Sequence, residues 1–177
     1  MIADPVKRLI GADPKRNPRI ARPQDIFPGR LNSGGVVLSD PVMSSRIISA
    51  MQRALDAGSH AAHPIVNGVE RIRPAVPVRD PANRGREVGM VGEAADEDVR
   101  AALDSAATAQ DSWNRGGGAA RASILESAAD LFEKRRALLM GLIVREAGRT
   151  IPNALSEWRE AVDFLRYYAK ESRAHFE

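Results

Sequence analysis

The placement of proline is the feature that most restricts how this chain can fold. Ten of its eleven prolines lie within residues 1–92, and only Pro152 lies beyond them. A proline inside a helix removes one backbone hydrogen bond and clashes with the preceding turn, so a dense series of prolines prevents long helices. The sequence therefore predicts an extended or irregular amino-terminal half and leaves the long helices to the remainder.

One short helix is nevertheless predicted within the proline-rich half, at residues 41–57. Asp40 can cap its start, Pro41 suits its first turn and Gly58 suits its end. Its apolar residues recur at helical spacing on one stripe, which comprises Met43, Ile47, Met51 and Leu55.

Residues 64–92 indicate a pair of strands. The run VPVRDP leads into the turn sequence DPANRGR and then into EVGMVG, where apolar and small residues alternate. Because proline cannot donate a ladder hydrogen bond, Pro77 restricts the first run to an edge or irregular strand. We therefore expect a short β arm or hairpin ahead of the helices.

Four helices are predicted after the hairpin, at residues 96–113, 119–134, 136–146 and 150–173. Asp96 is suited to cap the first helix, and Gly148 marks the end of the third. Thr150 is suited to cap the fourth helix, with Pro152 in its first turn. The residues predicted to face inward on the second helix are Ile124, Leu125, Ala128, Leu131 and Phe132.

The first and third helices also carry apolar residues at helical spacing. In the first helix these residues are Val99, Ala102, Leu103, Ala106 and Trp113, with the polar Gln110 at the same spacing, and in the third they are Leu138, Leu139, Leu142 and Ile143. Together with the hairpin, this pattern predicts a mostly α-helical chain with a short β arm.

Composition excludes several kinds of function. The chain has no cysteine, so it has no disulfide, no thiolate zinc site and no cysteine nucleophile. Its amino terminus lacks a secretory pattern, and no apolar run approaches the length of a membrane span. Its 44% hydrophobic and 28% charged residues are ordinary for a soluble globular protein. We therefore expect a cytoplasmic protein.

The positive charge of the chain is concentrated at its start. Residues 1–30 hold seven basic and three acidic residues, a net charge of +4, whereas the whole chain has +3. A basic arm could contact nucleic acid or an anionic surface. No aromatic residue interleaves with these charges before Phe27, so we favour a solvated, proline-broken linker over nucleic-acid binding.

Two short motifs suggest chemistry only weakly. The sequence RGGGAAR at 115–121 places glycines before a helix, as phosphate cradles do, but it lacks the following Lys-Ser/Thr and a preceding strand. We interpret it as a loop between helices. His60 and His63 are three positions apart with Glu70 downstream, yet a metal site needs a more convincing third ligand. From these patterns alone, no catalytic, cofactor-binding or metal-binding residue is predicted.

The fourth predicted helix has two distinct faces. One stripe is apolar and comprises Ile151, Leu155, Trp158, Val162, Leu165 and Ala169. At 100° per residue, the nearly opposite stripe comprises Asn153, Glu157, Glu160, Phe164 and Tyr167. A solvated face rarely places Phe and Tyr one turn beyond two carboxylates, whereas a face that looks into a polar cleft does. The alternative is a surface glutamate in a charge pattern with Arg159 or Arg166.

Residues 76–169 resemble the start of an aldehyde dehydrogenase domain. The segments VRDPANRGREVGMVGEAADEDVRAALDSAATAQDSW and VREAGRT are similar to that family's opening motifs, with Arg149 at a position usually held by lysine. The segment ALSEWREAVDFLRYYA is similar to the glutamate-semialdehyde dehydrogenase half of bifunctional bacterial proline-catabolic enzymes. The segment DIFPGRLNSGGVVLSD resembles the part that joins the two halves of those enzymes.

The resemblance implies an α/β parent fold of Rossmann type, with NAD as cofactor. It implies NAD-dependent oxidation of L-glutamate γ-semialdehyde, in equilibrium with pyrroline-5-carboxylate, to L-glutamate. In this family a cysteine thiolate attacks the aldehyde, the hemithioacetal gives hydride to NAD, and a glutamate-activated water releases the acid. All of these groups come later in the family's sequence than the part that this chain resembles.

We therefore expect a fragment that is inactive alone and binds no NAD. Residues 1–65 would be a proline-rich linker with one short helix, and residues 66–177 the amino-terminal segment of an incomplete dehydrogenase domain. Its expected partner is the remainder of that domain or a second copy of the chain. In the parent enzyme, Glu160, flanked by Phe164 and Tyr167, is predicted to lie beside the aldehyde pocket, near the substrate's ammonium group.

Two alternatives remain open from the sequence. The chain could be a small non-catalytic helical module that binds a partner, for example the remainder of a split enzyme. It could also be a basic nucleic-acid binder, which is the weaker alternative. A steep salt dependence of DNA binding would favour it.

Overall fold

The computed structural model describes residues 4–10, 17–22 and 25–176, which form a mostly helical body with small sheets. The helices are α1 (Pro5–Ile10), α2 (Pro41–Asp56), α3 (Asp96–Arg115), α4 (Gly117–Lys134), α5 (Arg136–Ala147) and α6 (Ile151–His175). The strands are β1 (Ala61–Ala62), β2 (Ile65–Val66), β3 (Val69–Glu70), β4 (Ala75–Asp80) and β5 (Asn83–Gly92). The predicted helical chain with a short hairpin is confirmed.

Helix α2 forms where its local chemistry predicts. The Asp40 carboxylate accepts the Val42 and Met43 amide hydrogens at 2.8 and 3.2 Å, so it satisfies two of the free N–H groups of the first turn. Ile47 and Met51 are buried, as predicted. Met43 is exposed, so the inward stripe is shorter than its spacing indicates.

The predicted hairpin is formed by β4 and β5, which pair antiparallel from Ala75 opposite Gly92 to Asp80 opposite Asn83. Strand β1 pairs parallel with β5, giving the order β1-β5-β4. Pro77 therefore lies on an edge strand, where its missing N–H costs no ladder bond. Strands β2 and β3 form a separate two-stranded sheet.

The core lies where α6 meets α5, α4 and α2. Its members are Ile47, Met51, Ala129, Met140, Ala154, Leu155, Trp158 and Val162. Trp158 is fully buried, and its indole N–H donates to the Phe132 carbonyl at 3.0 Å. The predicted apolar stripe of α6 is therefore the one that faces inward. Core residues come from both sides of the predicted boundary at residue 65, and that boundary stays a prediction.

Two helix starts differ from the prediction. Asp96 is the first residue of α3, and Ala95 holds the capping position. The carboxylate that reaches back is that of Asp98, which accepts the Ala95 amide hydrogen at 3.0 Å. The predicted loop at 115–121 is shorter than expected, because α4 already begins at Gly117. The predicted cap of α6 is confirmed, since Thr150 Oγ1 accepts from the amide of Asn153.

The inward face of helix α4 matches the prediction only in part, since Leu125, Ala128 and Phe132 are partly buried as predicted. Ile124 and Leu131, predicted to be buried, are about half-exposed, while Ala122 and Ala129 are fully buried. The reason is the close approach of α4 to α6, which accommodates only small side chains. At Gly118 a Cβ atom would lie 2.1 Å from the Ser172 carbonyl oxygen. The prediction is therefore wrong for Ile124 and Leu131.

Helix α3 buries little within this chain. Its only buried side chain is that of Asp98, whereas Val99, Leu103 and Trp113 are all more than half-exposed. The apolar spacing predicted for this helix exists, but no described element covers it. No helix in the described ranges has the length and apolar content that a membrane crossing requires.

The predicted basic arm is described only in part. Lys15 and Arg16 lie outside the described residues. Arg22 forms an ion pair with Asp25 at 2.6 Å, and hydrogen bonding to that carboxylate raises the pKa of Arg22.

Candidate functional site

The glycine-rich sequence at 115–121 is a junction between helices. The Gly118 amide donates to the Phe176 carbonyl at 2.6 Å, and the Ser172 hydroxyl donates to the Gly118 carbonyl at 3.2 Å. The amide that a phosphate would need is therefore already paired with the end of α6. The interpretation as a loop between helices agrees with this geometry, and the phosphate interpretation does not.

The two histidines of the weak metal motif each lie within hydrogen-bond distance of a backbone group. His60 Nε2 lies 3.3 Å from the Leu55 carbonyl, and His63 Nδ1 accepts the Arg73 amide hydrogen at 3.3 Å. Across residues 4–10, 17–22 and 25–176, no three potential ligands come together in an arrangement that could hold a metal ion.

The outward face of α6 carries the residues predicted to lie beside the substrate. Glu160, Phe164 and Tyr167 are all exposed, with 49% of Phe164 accessible. Their ring contacts run through Tyr168, which stacks on Phe164 at 5.9 Å and meets Tyr167 edge-on at 5.2 Å. The helix therefore presents the Glu160 carboxylate next to a group of three exposed aromatic rings.

The charges on this face are not equivalent. Glu157 forms an ion pair with Arg149 at 3.0 Å. In the part of the chain that the structure describes, no cation forms an ion pair with Glu160. The two arginines of the surface alternative are engaged elsewhere: Arg159 donates to Ser33, and Arg166 donates to a carboxylate of α4. Glu160 is therefore the carboxylate of this face that has no cationic partner.

Glu160 also borders a shallow depression of about 330 Å³. Its lining comprises Pro152, Leu155, Ser156, Arg159, Glu160 and Asp163. The position of this depression next to an unpaired carboxylate suits a small cationic group. That Glu160, Phe164 and Tyr167 contact a substrate stays a prediction.

Sequence reasoning missed the contacts that the amino-terminal segment makes with α6. The Ser33 amide and hydroxyl donate to the two carboxylate oxygens of Asp163, at 2.6 and 3.1 Å. The Arg30 guanidinium lies 4.4 Å from the centre of the Phe27 ring and 5.9 Å from that of Tyr167. No periodicity relates positions 130 residues apart, so no local signal could have identified this contact.

Two bidentate ion pairs fix the surrounding helices. Arg73 donates from Nε and Nη2 to Asp98, at 2.7 and 2.6 Å. This pairing, helped by the Ala95 amide, lowers the pKa of Asp98, and it raises the pKa of Arg73. Between α6 and α4, Arg173 donates twice to Glu126, at 2.6 and 2.8 Å, and this pairing raises the pKa of Arg173.

A buried carboxylate joins the hairpin to α5. Asp80 is almost fully buried, and it accepts from Arg86 at 3.1 Å and from Arg145 at 3.2 Å. A buried charge is tolerated when it is paired in this way. These three ion-pair groups tie elements together, and none of them is on the outward face of α6.

Comparison with known proteins identifies the family of this chain. The sequence profile of the aldehyde dehydrogenase family matches residues 69–176. The bifunctional protein PutA of Klebsiella aerogenes is 37% identical over 188 aligned positions, which cover 100% of this chain and 14% of that protein. The 1-pyrroline-5-carboxylate dehydrogenase of Bacillus pumilus is 32% identical over 111 positions, which cover 62% of this chain and 22% of that protein.

A solved structure shares the same fold. The 1-pyrroline-5-carboxylate dehydrogenase from Thermus with bound NAD superposes with a TM-score of 0.71 and 22% identity. The superposition covers 79% of this chain and 28% of that one. The chain therefore spans only a minor part of each relative's length, 14% in the case of the Klebsiella protein.

Proposed function

The chain belongs to the aldehyde dehydrogenase family, and on that premise we propose that it forms the opening part of an NAD-dependent L-glutamate γ-semialdehyde dehydrogenase. Its relatives include PutA and 1-pyrroline-5-carboxylate dehydrogenases. The complete enzyme would oxidise the semialdehyde, the open form of pyrroline-5-carboxylate, to L-glutamate in proline catabolism. The observation that carries the proposal is the outward face of α6, where an unpaired Glu160 lies beside exposed aromatic rings.

The proposal assigns this chain a binding role and no covalent step. With no cysteine among its 177 residues, the chain supplies no thiolate to attack an aldehyde. Its glycine-rich helix start is also unsuited to NAD, because the Gly118 amide is paired with the Phe176 carbonyl. The nucleophile and the cofactor site therefore belong to other residues of the complete enzyme. In this family the cofactor that accepts the hydride is NAD.

Glu160 is suited to recognise the ammonium group of the semialdehyde. At neutral pH that substrate carries a positively charged ammonium group on its α-carbon, whereas a simple aldehyde of similar length has no such group. Arg149 forms an ion pair with Glu157, whereas no cation among the described residues forms one with Glu160. The faces of Phe164 and Tyr167 attract cations through their ring quadrupoles and exclude water, which strengthens the attraction to Glu160.

A substitution at Glu160 in the complete dehydrogenase tests this role. We expect Glu160→Gln to lower kcat/KM for glutamate semialdehyde by about tenfold to a hundredfold, because one charge-assisted interaction is lost. A simple aldehyde without an amino group should be oxidised almost as well as before. Glu157→Gln is the matched control and should show no such selectivity. If Glu160→Gln changes both substrates equally, Glu160 is a surface residue.

A second candidate function is a non-catalytic helical module that binds a partner. The observation that favours it is the uncovered apolar face of α3, with Leu103 66% exposed. Copurification of the chain with a separately encoded dehydrogenase segment would support this candidate. Restoration of aldehyde oxidation on mixing the two would instead identify the pair as a split enzyme.

A further inference from the structure

We propose that residues 27–34, here called the strap, position the face of α6 that carries Glu160, Phe164 and Tyr167. The strap precedes residues 69–176, the part of the chain that the family profile matches. The kinetic consequence of this inference rests on the proposed function, whereas its structural part does not. Ser33 and Arg30 are the positioning residues.

Ser33 is the polar anchor of the strap. Its side chain is fully buried, and it donates from its amide and its hydroxyl to the two oxygens of Asp163. The Ser33 hydroxyl also accepts from Arg159 Nε at 3.3 Å. Asp163 lies three positions after Glu160 and four before Tyr167, which places all three on one side of the helix. One serine thus holds both charged neighbours of Glu160.

This arrangement has an electrostatic consequence for Glu160. Arg159 and Asp163 line the same depression as Glu160, and each could change the charge that a ligand meets there. Without Ser33, the long Arg159 side chain would be free to approach Glu160, and Asp163 would present a second unpaired carboxylate. With Ser33 in place, the two charges engage the strap, and Glu160 keeps its negative charge available.

Arg30 makes the second contact, with the aromatic end of the face. Its guanidinium lies over the Phe27 ring at 4.4 Å and over the Tyr167 ring at 5.9 Å, and its Nη1 donates to Asn32 at 2.7 Å. A cation over an aromatic face is attracted to the ring quadrupole. Because Tyr167 packs edge-on against Tyr168, Arg30 restrains the whole ring group rather than one side chain.

Two further hydrogen bonds fix the strap to the helices beneath it. The Gly34 amide donates to the Glu133 carboxylate at 3.1 Å, and Lys170 Nζ donates to the Pro28 carbonyl at 3.4 Å. The strap is therefore attached to α4 as well as to two separate turns of α6. Because its contacts with α6 reach from Asp163 to Lys170, the strap can hold the part of the face that lies between those two residues.

Hydrogen exchange in the complete dehydrogenase tests the structural part without reference to any substrate. In Ser33→Ala, amides in the peptides covering residues 27–34 and 160–168 should exchange about two- to tenfold faster, as expected for the loss of one or two hydrogen bonds. Ser49→Ala, at an exposed serine of α2, is the matched control and should leave both peptides unchanged. Unchanged exchange of residues 160–168 in Ser33→Ala overturns the inference.

Kinetics then test whether positioning matters to the substrate. We expect Ser33→Ala and Arg30→Met to lower kcat/KM for the amino-bearing aldehyde about three- to tenfold more than for a simple aldehyde, and Arg30→Lys to restore most of the loss. Equal losses for both aldehydes, as a purely structural strap would give, overturn the positioning role. If Glu160→Gln itself shows no selectivity, the proposed function fails, and the exchange of residues 160–168 alone decides the inference.

Discussion

Asp98 accepts two hydrogen bonds from Arg73, although 25 positions separate them in the sequence. The same carboxylate accepts the amide hydrogen of Ala95, the N-cap residue that precedes α3. One buried side chain therefore both caps α3 and fixes the start of that helix to the segment that precedes β4. The interactions favour the charged form, which is why the pKa of Asp98 lies below its ordinary value.

Substitution of Asp98 should give a pH-dependent loss of stability. Because the folded-state pKa lies below the ordinary value of 3.8, the stabilisation is fully present above that value and is lost as pH falls through the folded pKa. We expect Asp98→Asn to lower Tm by a constant amount from pH 7 to about pH 5, with the gap narrowing below about pH 4. Circular dichroism melts across this range measure the gap.

The control for this prediction is Asp104→Asn, which changes an exposed carboxylate on the same helix. Its Tm should equal that of the parent chain at every pH. If the difference in Tm between Asp98→Asn and the parent chain stays constant down to pH 3, the negative charge of Asp98 does not contribute to stability.

Gly118→Ala should destabilise the chain, against the usual preference for alanine. In a helix interior, alanine is favoured over glycine by about 1 kcal/mol. Here the new Cβ would lie 2.1 Å from the Ser172 carbonyl oxygen and 2.9 Å from its carbon, both backbone atoms that cannot rotate away. Overpacking costs about 1–3 kcal/mol, so the clash outweighs the propensity and Tm should fall.

Gly58→Ala provides the comparison, because a Cβ at that position meets no atom within 4 Å. Its Tm should stay near that of the parent chain. A Gly118→Ala variant as stable as the parent would mean that the beginning of α4 and the end of α6 do not pack as closely as described.

The sequence predicts the fold well where local chemistry determines it. The carboxylate of Asp40, the hydroxyl of Thr150 and the left-handed Gly148 mark helix ends through interactions within a few residues. The predicted cap of α3, Asp96, is wrong, because Asp98 is the carboxylate that accepts the Ala95 amide hydrogen. The further pairing of Asp98 with Arg73 joins positions 25 residues apart, and no local pattern predicts it.

Packing and long-range contacts account for what the sequence does not predict. Size favours Ile124 over Ala122 as an inward residue, but the close contact between α4 and α6 reverses the order. On the outward face of α6, periodicity places Glu160 with the aromatic residues. It cannot predict that Ser33, 130 positions before Asp163, attaches the strap to that face.

The 177-residue chain alone should not oxidise glutamate semialdehyde with NAD. It contains no cysteine, and the hemithioacetal from which hydride is transferred cannot form without a thiolate. We expect the rate of NADH formation with the purified chain to equal that of the buffer control. The complete dehydrogenase serves as the positive control, and NAD-dependent turnover by the mass-verified chain would refute the assignment.

The purified chain should also associate with itself through the uncovered face of α3. Val99, Leu103 and Trp113 expose large apolar surfaces that the described elements leave in water. Burial of one such side chain contributes roughly 1.5–3 kcal/mol, which is substantial against the small net stability of a domain. We expect sedimentation velocity to show concentration-dependent association and Leu103→Glu to reduce it, because a buried unpaired charge is costly at an interface. Gln110→Glu, at an exposed polar position of the same helix, should leave the association unchanged. A concentration-independent monomer that melts in one sharp transition well above about 65 °C would show that this face needs no partner.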